Sequence, residues 1–208
     1  MNTGQVCVAT KRIFIHHSIY KPFLAALIDF TSQIKTGNPE EADTVLGPIQ
    51  NSMQYEKVKN LFADSKRKGY KFAQGTDTIE ESMGYFIKPT LIDNPPDDSR
   101  VVSEEAFGPI VPCQSWKDED EVIRRANNTK AGLAASVFGK DLKRCQRIAE
   151  RIEAGSVFIN SSAIPTPEVP FGGWKESGIG YEWGQGGIKA YMNMQLIHQY
   201  KPGARSFF

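Results

Sequence analysis

Helical and strand-like segments alternate along this chain, with short connections between them. A strand-like run at 12–15 precedes apolar residues that share one helical face from Tyr20 to Ile34, and Gly37 is the predicted end of that helix. A second helix is predicted from Ser52 to Lys68, with Gly69 ending it. This alternation is typical of an α/β fold in which helices cover a mostly parallel sheet.

The same alternation continues in the second half of the chain. Asp118 and Glu121 form a capping box, which predicts that a helix begins there. Residues 133–138 are expected to form a buried strand and residues 156–160 another, and Asp141 is expected to cap the helix between them.

Two segments depart from this pattern. The prolines within 164–170 exclude a central strand or a helix, so an ordered loop is predicted there. Between Asn193 and Tyr200, apolar and polar residues alternate, which predicts a half-exposed strand. Such a strand could pair with another sheet or form an edge within its own domain.

Composition and charge exclude several classes of function. With a formal net charge of +1, the chain lacks the dense basic surface of a nucleic-acid-binding protein. Cys7, Cys113 and Cys145 form no CxxC pair, and His16 and His17 have no third ligand at a metal-like spacing, so neither a disulfide framework nor a metal site is expected. No apolar run approaches the length of a membrane span and the sequence opens on no targeting peptide, so a cytoplasmic location is expected.

Cys7 follows Gly4-Gln5-Val6, and this context allows two interpretations. Glycine lets the backbone approach a ligand closely, and a cysteine that opens a helix has its thiolate favoured by the free N–H groups there. A free cysteine is more commonly a small buried hydrophobe, and the tetrapeptide alone favours that second interpretation.

Four stretches, taken together, resemble motifs of the aldehyde dehydrogenase superfamily. They are the cysteine motif Asn2–Cys7, the acidic segment Glu104–Pro109, the segment Asn127–Ala135, in which Ala131 stands where tyrosine is usual, and the late run Pro170–Gly180. Their order and spacing follow that family from the cysteine to the C-terminus, so the resemblance covers essentially the whole chain.

The resemblance implies a domain organisation and an activity. Residues 1–192 would be part of the cysteine-bearing catalytic domain, and residues 193–208 an oligomerisation strand and tail. The family's N-terminal dinucleotide-binding domain, its general-base glutamate and the asparagine of its oxyanion hole would be absent from these residues. The implied reaction oxidises an aldehyde substrate with NAD or NADP as acceptor, and the full-length form is implied to be a homo-oligomer.

The resemblance also assigns roles to individual residues. Cys7 would add to the carbonyl to give a thiohemiacetal and, after hydride transfer, a thioester that water hydrolyses, with its own backbone N–H as oxyanion donor. Glu105 would bind the hydroxyls of the nicotinamide ribose, Phe107 would lie beside the nicotinamide, and Gln54 would make a further cofactor contact. Phe171 would lie near the aldehyde.

The loop 161–169 would line the substrate entrance. Each of these assignments has a simpler alternative. Glu105 could be an ordinary surface carboxylate, and Phe107 and Phe171 could be core residues.

Two hypotheses for function follow, from different classes. The first is NAD(P)-dependent aldehyde oxidation, with little activity from these 208 residues alone because no cofactor domain would hold the hydride acceptor near Cys7. The second is a non-catalytic interaction module that pairs with a full-length subunit through residues 193–200. A further possibility is a chain that aggregates through apolar surface normally covered by the cofactor domain.

Overall fold

The computed structural model describes residues 1–79, 83–162 and 166–203. The helices are α1 (Tyr20–Ser32), α2 (Ser52–Arg67), α3 (Arg100–Ser103), α4 (Glu119–Asn127), α5 (Leu142–Ala149) and α6 (Gly184–Ala190). The strands are β1 (Ile13–His16), β2 (Lys71–Gln74), β3 (Thr90–Asp93), β4 (Ile110–Trp116), β5 (Ala131–Gly132), β6 (Ala134–Val137), β7 (Ser156–Ile159) and β8 (Trp174–Lys175).

The strands form one central sheet and two small ones. The central sheet has the order β1-β4-β3-β2, in which β4 pairs in parallel with both β1 and β3, and β2 is antiparallel at one edge. Strands β6 and β7 pair in parallel, and β5 pairs with β8 in antiparallel orientation. The fold is therefore α/β with a mostly parallel sheet, as the sequence predicts.

Helices cover both faces of the central sheet. Leu91 and Ile92 are neighbours on β3 and point to opposite faces, because alternate residues of a strand do so. Ile92 packs in a cluster with apolar residues of α2 and α3, whereas Leu91 packs with Leu24 of α1 and with Ile15 of β1. The buried face of α2 thus matches the spacing of its apolar residues Tyr55, Val58, Leu61 and Phe62.

Helix ends are predicted best where the sequence carries a capping residue. Asp118 caps α4 by accepting a hydrogen bond from the Glu121 N–H at 2.8 Å, and Asp141 caps α5 by accepting from the Arg144 N–H at 3.0 Å. Helix α1 ends at Ser32, well before Gly37. Beyond it, the Lys35 carbonyl oxygen accepts from the Val45 and Leu46 N–H groups at 3.1 Å, and the Gly37 N–H donates to the Leu46 carbonyl oxygen at 3.0 Å, so this backbone pairs outside the helix.

The predicted strand at 193–200 belongs to no ladder in the part of the chain that the structure describes. Its side chains are exposed instead of half-exposed, with Met194 at 102% and Leu196 at 90%. Alternation along a sequence specifies which residues share a face of a strand, but a strand also needs a neighbouring backbone. Residues 204–208 and part of the loop 161–169 (163–165) lie outside the described residues.

Two properties of the described residues concern membranes and metals. Across 1–79, 83–162 and 166–203, no helix combines the length and the hydropathy that crossing a bilayer requires. Over the same ranges, no three His, Cys, Asp or Glu side chains are grouped so that they could hold a metal ion.

The C-terminal turn of α4 anchors the strand that follows the cysteine motif. Arg12 donates to the carbonyl oxygens of Arg125 (3.2 Å) and Ala126 (2.8 Å), which are among the last of the helix. Arg12 and Arg125 also each lie against the ring of Phe14 on β1, at 5.4 and 5.3 Å from its centroid. One side chain therefore joins β1 to α4.

A second anchor holds the cysteine motif itself. Gly4 has φ +77°, and a Cβ placed on it would lie 2.6 Å from the carbonyl oxygen of Gly108. The backbones of the two motifs are therefore in direct contact at a distance that only glycine permits.

Arg12→Ala is expected to lower the free energy of unfolding by about 2 kcal/mol, because it removes two charge-assisted hydrogen bonds and a cation–π contact. Urea unfolding of the purified chain measures this. The matched control is Arg124→Ala, an exposed arginine of α4, because the described residues give the Arg124 side chain no hydrogen bond or ion pair. Equal losses from the two variants would show that the Arg12 anchor contributes nothing specific.

Gly4→Ala is expected to lower the free energy of unfolding by about 2–3 kcal/mol, because it combines backbone strain with a clash against Gly108. Gly69→Ala is the control for strain alone, since Gly69 has φ +71° and open space at the Cβ position. We expect about 1 kcal/mol for Gly69→Ala. A Gly4→Ala effect no larger than the control would mean that the close approach is unimportant.

Candidate active site

Cys7 lies in a tight turn rather than at the start of a helix. The turn is closed by a hydrogen bond from the Ala9 N–H to the Val6 carbonyl oxygen at 2.9 Å, and the next helix is α1, beyond β1. The expectation that a helix N-terminus activates Cys7 is therefore wrong. Cys7 is exposed, whereas Cys113 and Cys145 are buried, so the buried-hydrophobe interpretation of Cys7 is also wrong.

The difference between the cysteines is chemical as well as geometric. Burial raises the pKa of the Cys113 thiol to about 12, with a smaller contribution from the nearby Asp93 carboxylate. A thiol of this kind is not ionised near neutral pH and is shielded from solvent. Cys7 is accordingly the cysteine whose sulfur is accessible to a small molecule.

The residues before Cys7 fix the position of the turn. Thr3 is buried, and its hydroxyl donates to the Gly47 carbonyl oxygen at 3.0 Å. Gly4 contacts Gly108, and the side chain of Gln5 is hydrogen-bonded to the 48–50 segment. Three consecutive residues thus place the cysteine turn against the start of α2 and the acidic segment.

The two glutamates of the acidic segment have different environments. Glu104 forms a two-pronged ion pair with Arg100, at 2.6 and 3.1 Å, and this hydrogen bonding holds its pKa below the usual value. Glu105 is exposed, and the described residues provide its carboxylate with no hydrogen bond or ion pair. Of the two, Glu105 is the one whose carboxylate is free to accept hydrogen bonds from a bound hydroxyl.

Lys11, four residues after Cys7, carries a positive charge that interacts with the carboxylates of the acidic segment. Burial is the main cause that lowers the pKa of Lys11, and the Arg12 guanidinium adds to it, while Glu105 and Glu104 act in the opposite direction. The charges on Lys11 and Glu105 therefore act on each other. They give the site a mixed charge.

Phe107 is held in a strained conformation next to Glu105. Its φ of +49° lies in the left-handed region, which is rare for an aromatic residue and costs on the order of 1–3 kcal/mol. Gln54 Nε2 donates to the carbonyl oxygens of Ala106 (2.7 Å) and Phe107 (3.1 Å) and so holds this peptide in place. The ring of Phe107 is half-buried, which leaves part of its surface available to a ligand.

Phe171 lies in the late motif, next to the predicted entrance loop. Its backbone exchanges two hydrogen bonds with Glu182, at 2.8 and 2.9 Å, and its ring lies 5.6 Å from that of Trp183. It lines a pocket of about 220 Å³ together with Thr166 and Val169 from the predicted entrance loop and with residues of β7. In the described residues, no hydrogen bond or ring contact joins Phe171 to the cysteine turn.

The two later motifs bind each other. Lys175 Nζ donates to the Asn127 carbonyl oxygen at 2.6 Å, and the Ser177 hydroxyl accepts from the Gly132 N–H at 2.8 Å. A Cβ on Gly155 would lie 1.7 Å from the carbonyl oxygen of Gly172, so the Pro170–Gly180 run packs directly against the start of β7. Lys175, Ser177 and Gly172 of the late motif therefore contribute to packing, whatever the role of Phe171.

The described contacts connect the segments that carry four of the residues predicted from the sequence. Cys7, Glu105, Phe107 and Gln54 belong to segments that meet where Gly4 contacts Gly108 and where Gln54 binds the acidic segment, and Phe171 lines the pocket described above. Their roles in binding and catalysis stay predictions.

Sequence reasoning missed the residues that position this site, above all Thr3 and Gln5. The available signal was that both lie within the cysteine motif itself. Their partners at 47–50, however, are backbone groups, and a sequence does not show where backbone groups lie.

Comparison with known proteins matches most of the chain to one family. The sequence profile of the Aldehyde dehydrogenase family matches residues 1–197. A putative aldehyde dehydrogenase-like protein of Schizosaccharomyces pombe is 40% identical over 198 residues, which are 95% of this chain and 40% of that protein. A putative aldehyde dehydrogenase of Staphylococcus aureus is 39% identical over 201 residues, which are 96% of this chain and 42% of that protein.

Solved structures show the same relationship. The NAD+ complex of an aldehyde dehydrogenase from Bacillus cereus superposes with a TM-score of 0.86 at 37% identity, covering 91% of this chain and 38% of that one. A betaine aldehyde dehydrogenase from Staphylococcus aureus in complex with NAD+ gives a TM-score of 0.86 at 36% identity, covering 96% and 42%. The chain spans about two fifths of the length of these relatives. It belongs to the aldehyde dehydrogenase family.

Proposed function

We propose that these residues carry the nucleophile and part of the cofactor site of an NAD(P)+-dependent oxidation of an aldehyde to a carboxylate. The observation that carries the proposal is the contact of Gly4 with Gly108, which places the exposed Cys7 turn beside Glu105 and Phe107. A nucleophile and a nicotinamide site must be adjacent for hydride transfer, and this contact supports such an arrangement.

The chemistry assigned to Cys7 follows from its exposed sulfur and free backbone N–H. The thiolate attacks the carbonyl carbon, which forms a C–S bond and leaves a negative charge on the oxygen. The described residues provide the Cys7 N–H with no acceptor, so it can donate to that oxygen. Collapse of the adduct would pass its hydride to the oxidised nicotinamide that Glu105 and Phe107 would hold and would leave a thioester, from which water would release the carboxylate and restore the thiol.

The residues present fit one end of a nicotinamide nucleotide. Glu105 offers an unpaired carboxylate, which suits a pair of ribose hydroxyls, and Phe107 offers part of an apolar ring face. When bound, the nicotinamide supplies the acceptor for the hydride. The similar structures from Bacillus cereus and Staphylococcus aureus that contain NAD+ support NAD+ as this acceptor.

We further propose that these 208 residues have little activity alone. The relatives are more than twice as long as the matched region, and the resemblance puts the cofactor domain and the general base outside it. Strands β1 and β7 each have one unpaired edge in the described structure, and β7 is only half-buried, which supports an incomplete domain. Without a complete cofactor site, the hydride acceptor is not held near Cys7.

The isolated chain is expected to produce no aldehyde-dependent NADH above the level of its Cys7→Ala variant. A chimera in which these residues replace the matched region of the Staphylococcus aureus relative is expected to produce NADH and to lose it on Cys7→Ala, by about three orders of magnitude or more. NADH absorbance with a panel of aldehydes measures both.

Cys145→Ala in the chimera is the control for loss of a cysteine in general. Clear turnover by the isolated chain that depends on Cys7 would contradict the proposed inactivity. A folded, active chimera that tolerates Cys7→Ala would contradict the role of Cys7 as nucleophile.

A second candidate function is an interaction module that pairs with a full-length subunit. It is favoured by the exposure of residues 193–200, where the relative solvent accessibilities of Met194, Leu196 and Tyr200 are 102%, 90% and 68%. Three apolar side chains on one side of an extended segment suit addition to the edge of another sheet. In a full-length chain, the same segment would join identical subunits.

Deletion of residues 193–208 is expected to abolish co-purification with a tagged full-length aldehyde dehydrogenase, because it removes the pairing segment. Deletion of 201–208 alone is the control, since it leaves that segment intact. Pull-down followed by quantification of both chains measures the effect. Failure of the intact 208-residue chain to co-purify would contradict the interaction module.

A further inference from the structure

The side chain of Gln54 is occupied by the loop that contains Phe107. Both hydrogens of its amide are used, because Nε2 donates to the carbonyl oxygens of Ala106 (2.7 Å) and Phe107 (3.1 Å). The backbone of Gln54 is fixed too, since its N–H donates to the capping side chain of Asn51 at 2.9 Å. Only the amide oxygen is left for a ligand, so Gln54 cannot donate to a cofactor without releasing the loop.

Gln5 makes the equivalent connection for the cysteine turn. Its Nε2 donates to the carbonyl oxygens of Pro48 (3.1 Å) and Asn2 (3.3 Å), and its Oε1 accepts from the Gln50 N–H at 2.9 Å. Gln5 is two residues before Cys7 and half-buried. Its amide thus joins the turn to the segment that leads directly into α2.

The two amides are parts of one closed ring of contacts. The cysteine turn is bound to the 48–50 segment by Gln5, this segment continues into the first turn of α2, and Gln54 on that turn binds the Phe107 loop. The contact of Gly4 with Gly108 closes the ring. In such a ring, a displacement of either loop must strain the other contacts.

We propose that Gln5 and Gln54 are positioning residues. Their side-chain amides act as a pair of clamps that hold the Cys7 turn and the Phe107 loop in a fixed position relative to each other and to the start of α2. The inference rests on the proposed function, because hydride transfer depends on the distance between the nucleophile and the nicotinamide site. It also changes the role predicted for Gln54, from a cofactor contact to the group that holds Phe107 in its left-handed conformation.

The proposal predicts transmission between the two loops. Gln54 has no hydrogen bond to the cysteine turn, so an effect of Gln54 on Cys7 must pass through the ring. The test replaces each amide by methionine, which keeps the length of the side chain and removes its polar groups, in Gln5→Met and Gln54→Met. Gln50→Met is the matched control, since the Gln50 side chain is exposed and only its backbone N–H takes part.

Two measurements on the full 208-residue chain report the two loops separately. A trifluoromethyl label on Cys7, whose sulfur is exposed while the other cysteines are buried, reports the turn by its ¹⁹F resonance. Amide exchange of Ile110, whose N–H donates to the Gly108 carbonyl oxygen at 3.0 Å, reports the Phe107 loop. Urea unfolding of each variant separates these local effects from a change in overall stability.

We expect Gln54→Met to speed the exchange of Ile110 by about tenfold and to shift or split the label resonance on Cys7, because two hydrogen bonds to the loop are lost. Gln5→Met is expected to change the label resonance, and Gln50→Met to change neither. If Gln54→Met unfolds the chain, Gln54→Asn, which keeps the amide but is one carbon shorter, takes its place with the same two measurements.

A Gln54 variant that speeds exchange at Ile110 and leaves the Cys7 resonance unchanged would overturn the proposal, since the loops would then be independent. Equal responses to Gln50→Met and Gln54→Met would also overturn it. Neither measurement uses an aldehyde or NAD+. The proposed function can therefore fail in the activity assay while the clamps are still detected, and the clamps can fail while the activity stands.

Discussion

The C-terminal turn of α4 is the structural element on which the rest of the molecule depends. Three consecutive carbonyl oxygens at the end of this helix, those of Arg125, Ala126 and Asn127, accept hydrogen bonds from two cationic side chains, Arg12 and Lys175. Helix C-termini attract cations because their last carbonyl groups are unpaired and carry partial negative charge. Arg12 leads into β1 and Lys175 lies in the late glycine-rich motif, so one helix end connects both halves of the chain.

The four family motifs form two pairs in the structure. The cysteine motif contacts the acidic segment through Gly4 and Gly108, and the Asn127 segment contacts the late motif through Lys175. The C-terminal turn of α4 joins the two pairs through Arg12 and Lys175. The residues proposed for chemistry lie in the first pair, while the second pair provides the pocket that Phe171 lines.

Much of the fold could be predicted from the sequence because local signals specify it. The caps Asp118 and Asp141 set the starts of α4 and α5 through hydrogen bonds within one turn, so no tertiary information was needed. The turn at Cys7 and the absence of a ladder at 193–200 could not be predicted in this way. Both depend on which backbone lies alongside, and periodicity contains no information about that.

The candidate site shows the same limit at the level of single side chains. The motifs identified Glu105, yet they did not show that its neighbour Glu104 is paired with Arg100, while no described residue forms a hydrogen bond or ion pair with the Glu105 carboxylate. They identified Gln54 without showing that the loop uses both of its amide hydrogens.

A polar residue in a motif can serve either the ligand or the fold, and the hydrogen-bonding capacity that remains distinguishes the two. By this criterion the exposed sulfur and free N–H of Cys7 and the carboxylate of Glu105 are available for chemistry. The amides of Gln5 and Gln54 are not, because the protein already satisfies their donors. The amides that hold the loops are paired because leaving a buried donor unpaired costs free energy. A group that must bind a ligand, in contrast, needs hydrogen-bonding capacity that the fold has not used.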